Sequence, residues 1–176
     1  MHKTLEYGIF FVVLVLLQAF LFNNLDLGVY INPLVYVGFI LLLPMEVSSI
    51  AVLMLGLLLG VTTDFMVGTA GLNTIATLFT AFTRRQTMTL MIGKETVGEG
   101  GAPLSARIGT GKFLRYISVA VLLHCIVFFT FEAMSFRYFH LTLLKILLSS
   151  AVTVTLVYVS QFLLIGAYGK KTAAKL

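Results

Sequence analysis

The sequence predicts an all-α, polytopic helical membrane protein, and three observations support that prediction. Of its 176 residues, 59% are hydrophobic and only 11% are charged, whereas soluble domains have roughly 25% charged and 45–50% apolar residues. The mean hydropathy is +1.03. The apolar residues also form long runs, and one helix needs ~20 of them to cross a bilayer. We expect a single transmembrane domain over residues 1–176, with about six transmembrane helices, one of them short.

Six apolar runs are the predicted membrane segments. They lie at 5–22, 33–43, 47–63, 70–92, 113–131 and 141–166. The run at 5–22 has no small-residue cleavage site, so we interpret it as a retained crossing rather than a signal peptide. The run at 33–43 is too short to span a bilayer unless it tilts. It begins at Pro33, where a helix can start, and stops at Pro44, which breaks a helix because its nitrogen carries no hydrogen.

Lysine and arginine concentrate on one side of these segments. With six crossings, both termini and the loop after the fourth run share a side. That side holds ten of the twelve basic residues, namely Lys3, Arg84, Arg85, Lys94, Arg107, Lys112, Arg115, Lys170, Lys171 and Lys175. Because cytoplasmic loops are enriched in lysine and arginine, both termini are predicted to be cytoplasmic. The same topology predicts Asp64 at the outer surface.

Two basic segments belong to the predicted cytoplasmic side, a loop at 84–112 and a tail at 167–176. The loop contains Pro103 and several glycines, and such glycine density disfavours a helix, so a flexible loop is predicted. It lacks the spacing of a phosphate-binding Walker loop, and no strand precedes it. We therefore attribute the net charge of +5 to basic residues on the cytoplasmic side of the membrane. We predict no nucleic-acid partner.

Two polar side chains lie within apolar runs, where each needs a hydrogen-bond partner or a function. Gln18 can bond a neighbouring helix of the same chain or of a partner. His124 lies deep in its run, and the simpler interpretation is a neutral imidazole bonded to a serine, a threonine or a backbone carbonyl of another helix. The alternative, a proton relay, needs a second buried acid or base, and the sequence offers none at that depth.

Glycines and charges near the ends of the runs are further candidates for structural or partner contacts. Gly56 and Gly60 form a small-x-x-x-small pair, which lets another helix approach closely, either within this chain or from a partner. Glu132 and Arg137 flank the outer boundary after the fifth run, where a local salt bridge or contact with lipid headgroups accounts for them.

Asp64 lies in the stretch GVTTDFMVGTAG, between two apolar runs. An anion near the C-terminus of a helix is slightly unfavourable because of the helix dipole. Asp64 is therefore expected either to cap the next helix or to pair with Arg137 or Lys145. On residue chemistry alone, a structural turn is the favoured interpretation.

No catalytic, cofactor or metal site is predicted. The histidines His2, His124 and His140 are spread along the chain, whereas a metal site needs converging ligands. The serines lack an adjacent base that would activate a nucleophile. The single cysteine, Cys125, cannot form an intramolecular disulfide. We expect a protein that is not an enzyme and that needs no cofactor.

Three stretches of the chain resemble the bacterial rod shape-determining protein MreD family. They are LLQAFLFNNLDLGVYINPLVYVGFILLLPME, LGLLLGVTTDFMVGTAGLNTIATLFTAFTRR and LRYISVAVLLHCIVFFTFEAMSF. The most specific matching residues are Gln18, Asn23, Asn24, Asn32, Pro33, Pro44, Gly60, Asp64, Phe65 and Gly71. His124 and Glu132 match one branch of the family. Asn73 departs from it, because the family often has histidine there, and Arg85 stands where it often has proline.

The resemblance implies a non-enzymatic, multi-pass subunit of the cell-elongation complex in the bacterial inner membrane, which maintains cell shape. The implied partners are MreC above all, then MreB, RodA and PBP2, together with membrane lipids. The outer turns, including the Asp64 region, are expected to dock MreC, and the basic loop to face cytoplasmic partners or anionic lipid. The family is also similar in fold to the substrate-binding S-components of energy-coupling-factor transporters. That similarity does not carry function across, and a vitamin-type transporter subunit is the alternative.

Overall fold

The computed structural model describes residues 2–24, 30–134 and 139–173, with the backbone alone for 2–4 and 165–173. Within these ranges the chain is helical and contains no strand, so the predicted all-α class is confirmed there. The helices are α1 (His2–Leu16), α2 (Gly38–Leu42), α3 (Ser49–Val67), α4 (Leu72–Ile92), α5 (Lys94–Gly98), α6 (Ser105–Ile108), α7 (Thr110–Ala133) and α8 (Phe139–Ala173).

Four helical segments in the described ranges are long and apolar enough to cross a membrane. They are Leu5–Phe22, Ser49–Val67, Thr110–Ala133 and Phe139–Leu164. The first comprises most of α1 and its π-helical continuation, Leu17–Phe22. Large apolar side chains point outward from these helices, for example Phe20 and Val61. An apolar outer surface suits lipid, and the protein is therefore membrane-embedded.

The predicted run at 70–92 corresponds closely to α4, yet α4 is less apolar than the other long helices. It carries Arg84 and Arg85 in its second half and is therefore not among the four apolar segments. It packs along α3 on one side and α7 on the other, and α7 in turn packs on α8. These four helices form the frame of the bundle.

The predicted short helix at 33–43 is only partly helical. Residues 31–34 have no regular secondary structure, Val35–Val37 form one 3-10 turn, and α2 supplies five further residues. Pro33 explains the irregular start, because proline lacks an amide hydrogen and disfavours helical geometry in the residue before it. We call residues 30–45 the central segment. Every residue from 34 to 43 is buried, so this segment lies in the middle of the bundle.

Helices occupy much of the chain that the sequence predicts to be a flexible loop at 84–112. Because α4 continues to Ile92 and α7 begins at Thr110, the connection is shorter than predicted, and it contains α5 and α6. It is also anchored: the Met45 amide donates to the Gly101 carbonyl at 2.8 Å, and the Gly101 amide to a Glu46 carboxylate oxygen at 2.5 Å. Gly93, Gly98 and Gly109 lie at helix ends, whereas Gly100 and Gly101 lie between α5 and α6 and have positive φ. The flexibility of the connection stays a prediction.

The predicted tail at 167–176 begins inside α8. The helix continues to Ala173, and residues 174–176 lie outside the described part of the chain. The last predicted apolar run, 141–166, is therefore the first part of one long helix.

Candidate functional site

Two groups of buried polar side chains stand out in this apolar bundle. One surrounds Asp64 where α3 connects to α4. The other lines the central segment along its whole length. Each group contains candidates from the sequence.

Glycines shape the connection between α3 and α4. Gly68 follows α3 in the left-handed conformation, with φ of 76°, and its amide donates to the Asp64 carbonyl at 2.9 Å. This is a common way to end a helix, and glycine favours it because it has no Cβ. Gly71 precedes α4 with φ of 89°. It occupies the N-cap position, where a polar side chain usually binds the free amides of the first turn. Since Gly71 has no side chain, another residue must cap α4.

Asp64 caps α4 from the preceding helix. Its Oδ1 accepts hydrogen bonds from the Asn73 amide and the Asn73 Nδ2, both at 3.0 Å, and from Thr69 Oγ1 at 2.5 Å. Its Oδ2 accepts from the Thr74 amide at 2.9 Å and from Thr74 Oγ1 at 2.5 Å. The carboxylate is only 7% exposed. Its negative charge lies at the positive end of the α4 dipole, where an anion is stabilised.

We call residues 64–74 the Asp64 turn. Of the alternatives open from sequence, a cap on the next helix is the one found. Asp64 does not pair with Lys145, because Lys145 pairs with Glu132, with Nζ 2.6 Å from Oε2. Arg137 is outside the described residues. Thr69 and Thr74 were not singled out from the sequence, although their side chains face the carboxylate.

Gly60 lets the two helices come close enough for this cap. A Cβ at Gly60 would overlap the Thr74 Cα, and a Cβ at Gly56 would lie 3.0 Å from the Ala81 Cβ. Both glycines therefore face α4 of the same chain. Of the two possibilities for the small-x-x-x-small pair, the intramolecular contact is present.

The first part of the central segment is held by polar side chains of α8 and of the π-helical turn. Gln18 accepts from the Val35 amide at 2.8 Å and donates to the Pro33 carbonyl at 3.0 Å. Ser149 Oγ accepts from the Asn32 amide at 2.9 Å, and Thr153 Oγ1 accepts from the Leu34 amide at 3.0 Å. These side chains replace the hydrogen bonds that a regular helix would make for itself.

The last part of the segment is held through its carbonyl oxygens. Tyr116 donates to the Leu41 carbonyl at 3.1 Å, and Tyr7 to the Leu42 carbonyl at 3.3 Å. Arg84, which is 3% exposed, donates from Nη2 to the Leu43 and Pro44 carbonyls. In lipid, non-helical backbone is tolerated only where protein or water satisfies it. Polar side chains from α1, α4 and α7 do so here.

His124 lies at the middle of this arrangement and is completely buried. Its Nδ1 is 2.8 Å from Thr80 Oγ1 and 3.2 Å from the Ala76 carbonyl, and its Nε2 is 3.0 Å from the Tyr36 hydroxyl. The carbonyl can only accept, so we assign the hydrogen to Nδ1 and let Nε2 accept from Tyr36. A neutral imidazole then fits all its partners. The expected threonine and carbonyl partners are present, and Tyr36 is a partner that the sequence did not indicate.

The asparagines after α1 finish the π-helical turn. Asn24 Nδ2 donates to the Ala19 and Phe20 carbonyls at 3.1 and 3.0 Å, and the Asn23 amide donates to the Gln18 carbonyl at 2.9 Å. Carbonyls at a helix end otherwise have no partner in the chain. These contacts fix the end of α1 and, with it, the position of Gln18.

The fold and these two groups define a helical integral membrane protein whose buried polar side chains bind its own backbone. Within the described ranges, no group of three or more histidine, cysteine, aspartate and glutamate side chains could hold a metal ion. Comparison of the chain with models of known protein families, with curated proteins and with solved structures gives no match.

Proposed function

We propose that this protein is a non-enzymatic subunit of the bacterial cell-elongation complex in the inner membrane, and that it scaffolds MreC and the peptidoglycan synthases. One structural observation supports a scaffold most strongly. Polar side chains of the membrane interior, such as Gln18, Tyr116 and Thr153, bind the backbone of the central segment. They stabilise one arrangement of the bundle, and its apolar outer faces remain available to partner helices and lipid.

The Asp64 turn contributes to this scaffold in a different way from that expected. The Asp64 carboxylate is buried and bonded within the chain, whereas the next residue, Phe65, is 89% exposed. We propose that Asp64 stabilises the turn and that Phe65 contacts MreC. Exposed aromatic side chains are frequent anchors of protein interfaces.

The transporter alternative has weaker support. A small-molecule site is normally an enclosed cavity of roughly 300–1,000 Å³ with a few polar groups directed into it. A cleft among the described residues has a volume of about 230 Å³ and lies between α1 and α8. Its lining is mainly apolar, including Ile9, Phe10 and Leu163. Such a cleft suits an acyl chain or an apolar helix better than a vitamin.

We further propose that the chain crosses the membrane six times, as in S-components of energy-coupling-factor transporters, and that both termini are cytoplasmic. Two observations support the additional crossings. The central segment runs antiparallel to the first helix, because Gln18 meets Val35 while Tyr7 meets Leu42. The 21 residues of α4 extend about 31 Å, close to the thickness of a hydrocarbon core.

Affinity purification from native membranes tests the scaffold and separates it from the alternative. Phe65→Ala should reduce recovery of MreC, because it removes an exposed aromatic anchor. Phe20→Ala is the matched control, since Phe20 is 69% exposed on the first helix. Equal recovery of MreC with both variants would remove Phe65 from the interface. Recovery of an ATPase module and a bound small molecule, without MreC, would favour the transporter.

A further inference from the structure

Arg84 has more hydrogen-bonding capacity than the chain satisfies. Its Nη2 donates to the Leu43 and Pro44 carbonyls, but its buried Nε has no hydrogen-bond partner. Within the described part of the chain, the salt bridge between Lys145 and Glu132 lies elsewhere, and Arg84 has no carboxylate oxygen within 4 Å. A buried charge without a counter-ion is costly, and arginine cannot lose its proton in a protein. An anion from outside the chain would remove this cost.

A narrow cleft lies beside Arg84. Its walls come from the residues before α3, from the first turns of α3 and from α4. The polar lining residues are Ser49, Arg84 and Arg85, and the others, including Met45 and Val47, are apolar. The volume of the cleft is about 10 Å³, which is about one water-sized probe. The cleft itself therefore admits a single oxygen atom. Ser49 and Arg85 are exposed, so a larger group can remain at the mouth.

The N-terminus of α3 adds further groups that would stabilise an anion in the cleft. Ser48 caps the helix, with its Oγ accepting from the Ala51 amide at 3.3 Å. The amides of Ser49 and Ile50 belong to the first turn and have no acceptor within the helix. Together with the positive end of the dipole, such amides bind phosphate and related anions.

We propose that the cleft between α3 and α4 binds a phosphate group, with one oxygen directed to Arg84 and the others facing Arg85 and the start of α3. Arginine and a helix N-terminus are both frequent phosphate ligands. A phospholipid headgroup and free phosphate share this chemistry. Basic residues near a membrane surface also attract anionic lipids, by roughly fivefold in affinity for each residue.

Native mass spectrometry of the purified protein in detergent tests the site. Phosphatidylglycerol is the phosphate probe, and diacylglycerol is the matched lipid without phosphate. Arg85→Gln should weaken phosphatidylglycerol binding roughly fivefold. Ser49→Glu should weaken it at least as much, because the new carboxylate would occupy the cleft beside Arg84. Arg115→Gln, an exposed arginine of α7 outside the cleft, is the control for charge and should bind like the wild type.

Inorganic phosphate distinguishes the source of the group. If it raises the unfolding temperature of the wild type but not of Ser49→Glu, the site also accepts free phosphate. If phosphatidylglycerol binds and inorganic phosphate has no effect, the ligand is a lipid headgroup. Wild-type binding of phosphatidylglycerol by both variants, or equal binding of diacylglycerol, would overturn the proposal. Arg84 itself is left unchanged because it also holds the central segment.

Discussion

The Asp64 turn and the central segment solve the same problem by different means. Both contain backbone groups without helical partners in an apolar bundle. In the Asp64 turn, one carboxylate binds amides and side chains that lie within ten residues of it. In the central segment, side chains from several helices contribute one or two hydrogen bonds each; Arg84 is charged and the others are not. Thr153 reaches Leu34 across 119 residues. Local sequence thus builds the turn, whereas only the assembled bundle holds the segment.

The type of side chain also differs between the two regions. A carboxylate is acceptable at the end of a helix, because several donors and the helix dipole stabilise it. In the middle of the bundle, the groups are a glutamine, hydroxyls and a histidine that fits as a neutral ring. Charged side chains at that depth would cost about 2.5–3.5 kcal/mol on insertion scales. The molecule therefore places its charges towards the ends of the bundle, at Asp64 and Arg84.

The largest effect is expected from the central segment. Gln18→Leu leaves the Val35 amide and the Pro33 carbonyl without partners. Each unsatisfied buried group costs ~1–3 kcal/mol, so the free energy of unfolding should fall by about 3 kcal/mol. Reversible unfolding in mixed micelles measures this. Gln86→Leu on the exposed face of α4 is the matched control and should change stability by less than about 0.5 kcal/mol. Similar values for both variants would mean that Gln18 does not hold the segment.

Asp64→Ala tests the Asp64 turn. It removes the cap of α4 and its interaction with the helix dipole, and should cost about 2 kcal/mol, the upper end for a lost cap. Asp64→Asn keeps the shape but loses the charge and one acceptor, so an intermediate loss is expected. The same unfolding assay measures both. An Asp64→Ala protein as stable as the wild type would contradict the capping role.

Tyr36→Phe should have the smallest of these effects. It removes the hydroxyl that faces His124 Nε2 and leaves the ring contact between the two residues. One lost partner at a neutral group costs about 1 kcal/mol. Tyr158→Phe is the control, because Tyr158 is partly buried and its ring packs on Phe113 and Phe162. Equal stability of the two variants would show that the histidine does not depend on Tyr36.

The difference between the two regions also explains what the sequence could predict. Apolar runs gave the long helices, and glycine and aspartate chemistry indicated a turn at Asp64, because these signals are local. Gln18 was expected to bond another helix, and it binds the central segment. That Ser149, Thr153 and Tyr116 bind the same backbone was not predictable, since only the assembled bundle brings them to it. The helices α5 and α6 in the connection at 93–109 were also not predicted. The glycines of this connection suggested an open loop, but three of them lie at the ends of helices. Contacts to Met45, Glu46 and Gln161 also anchor the chain there.

Hydrogen exchange of backbone amides, measured by mass spectrometry on the protein in lipid nanodiscs, tests most directly whether distant side chains hold the central segment. Gln18→Leu should speed exchange within residues 30–45 and leave residues 64–74 as protected as in the wild type. Asp64→Ala should speed exchange within residues 64–74 and leave residues 30–45 as protected as in the wild type. Unchanged protection of residues 30–45 in Gln18→Leu, in a protein that remains folded, would contradict the account.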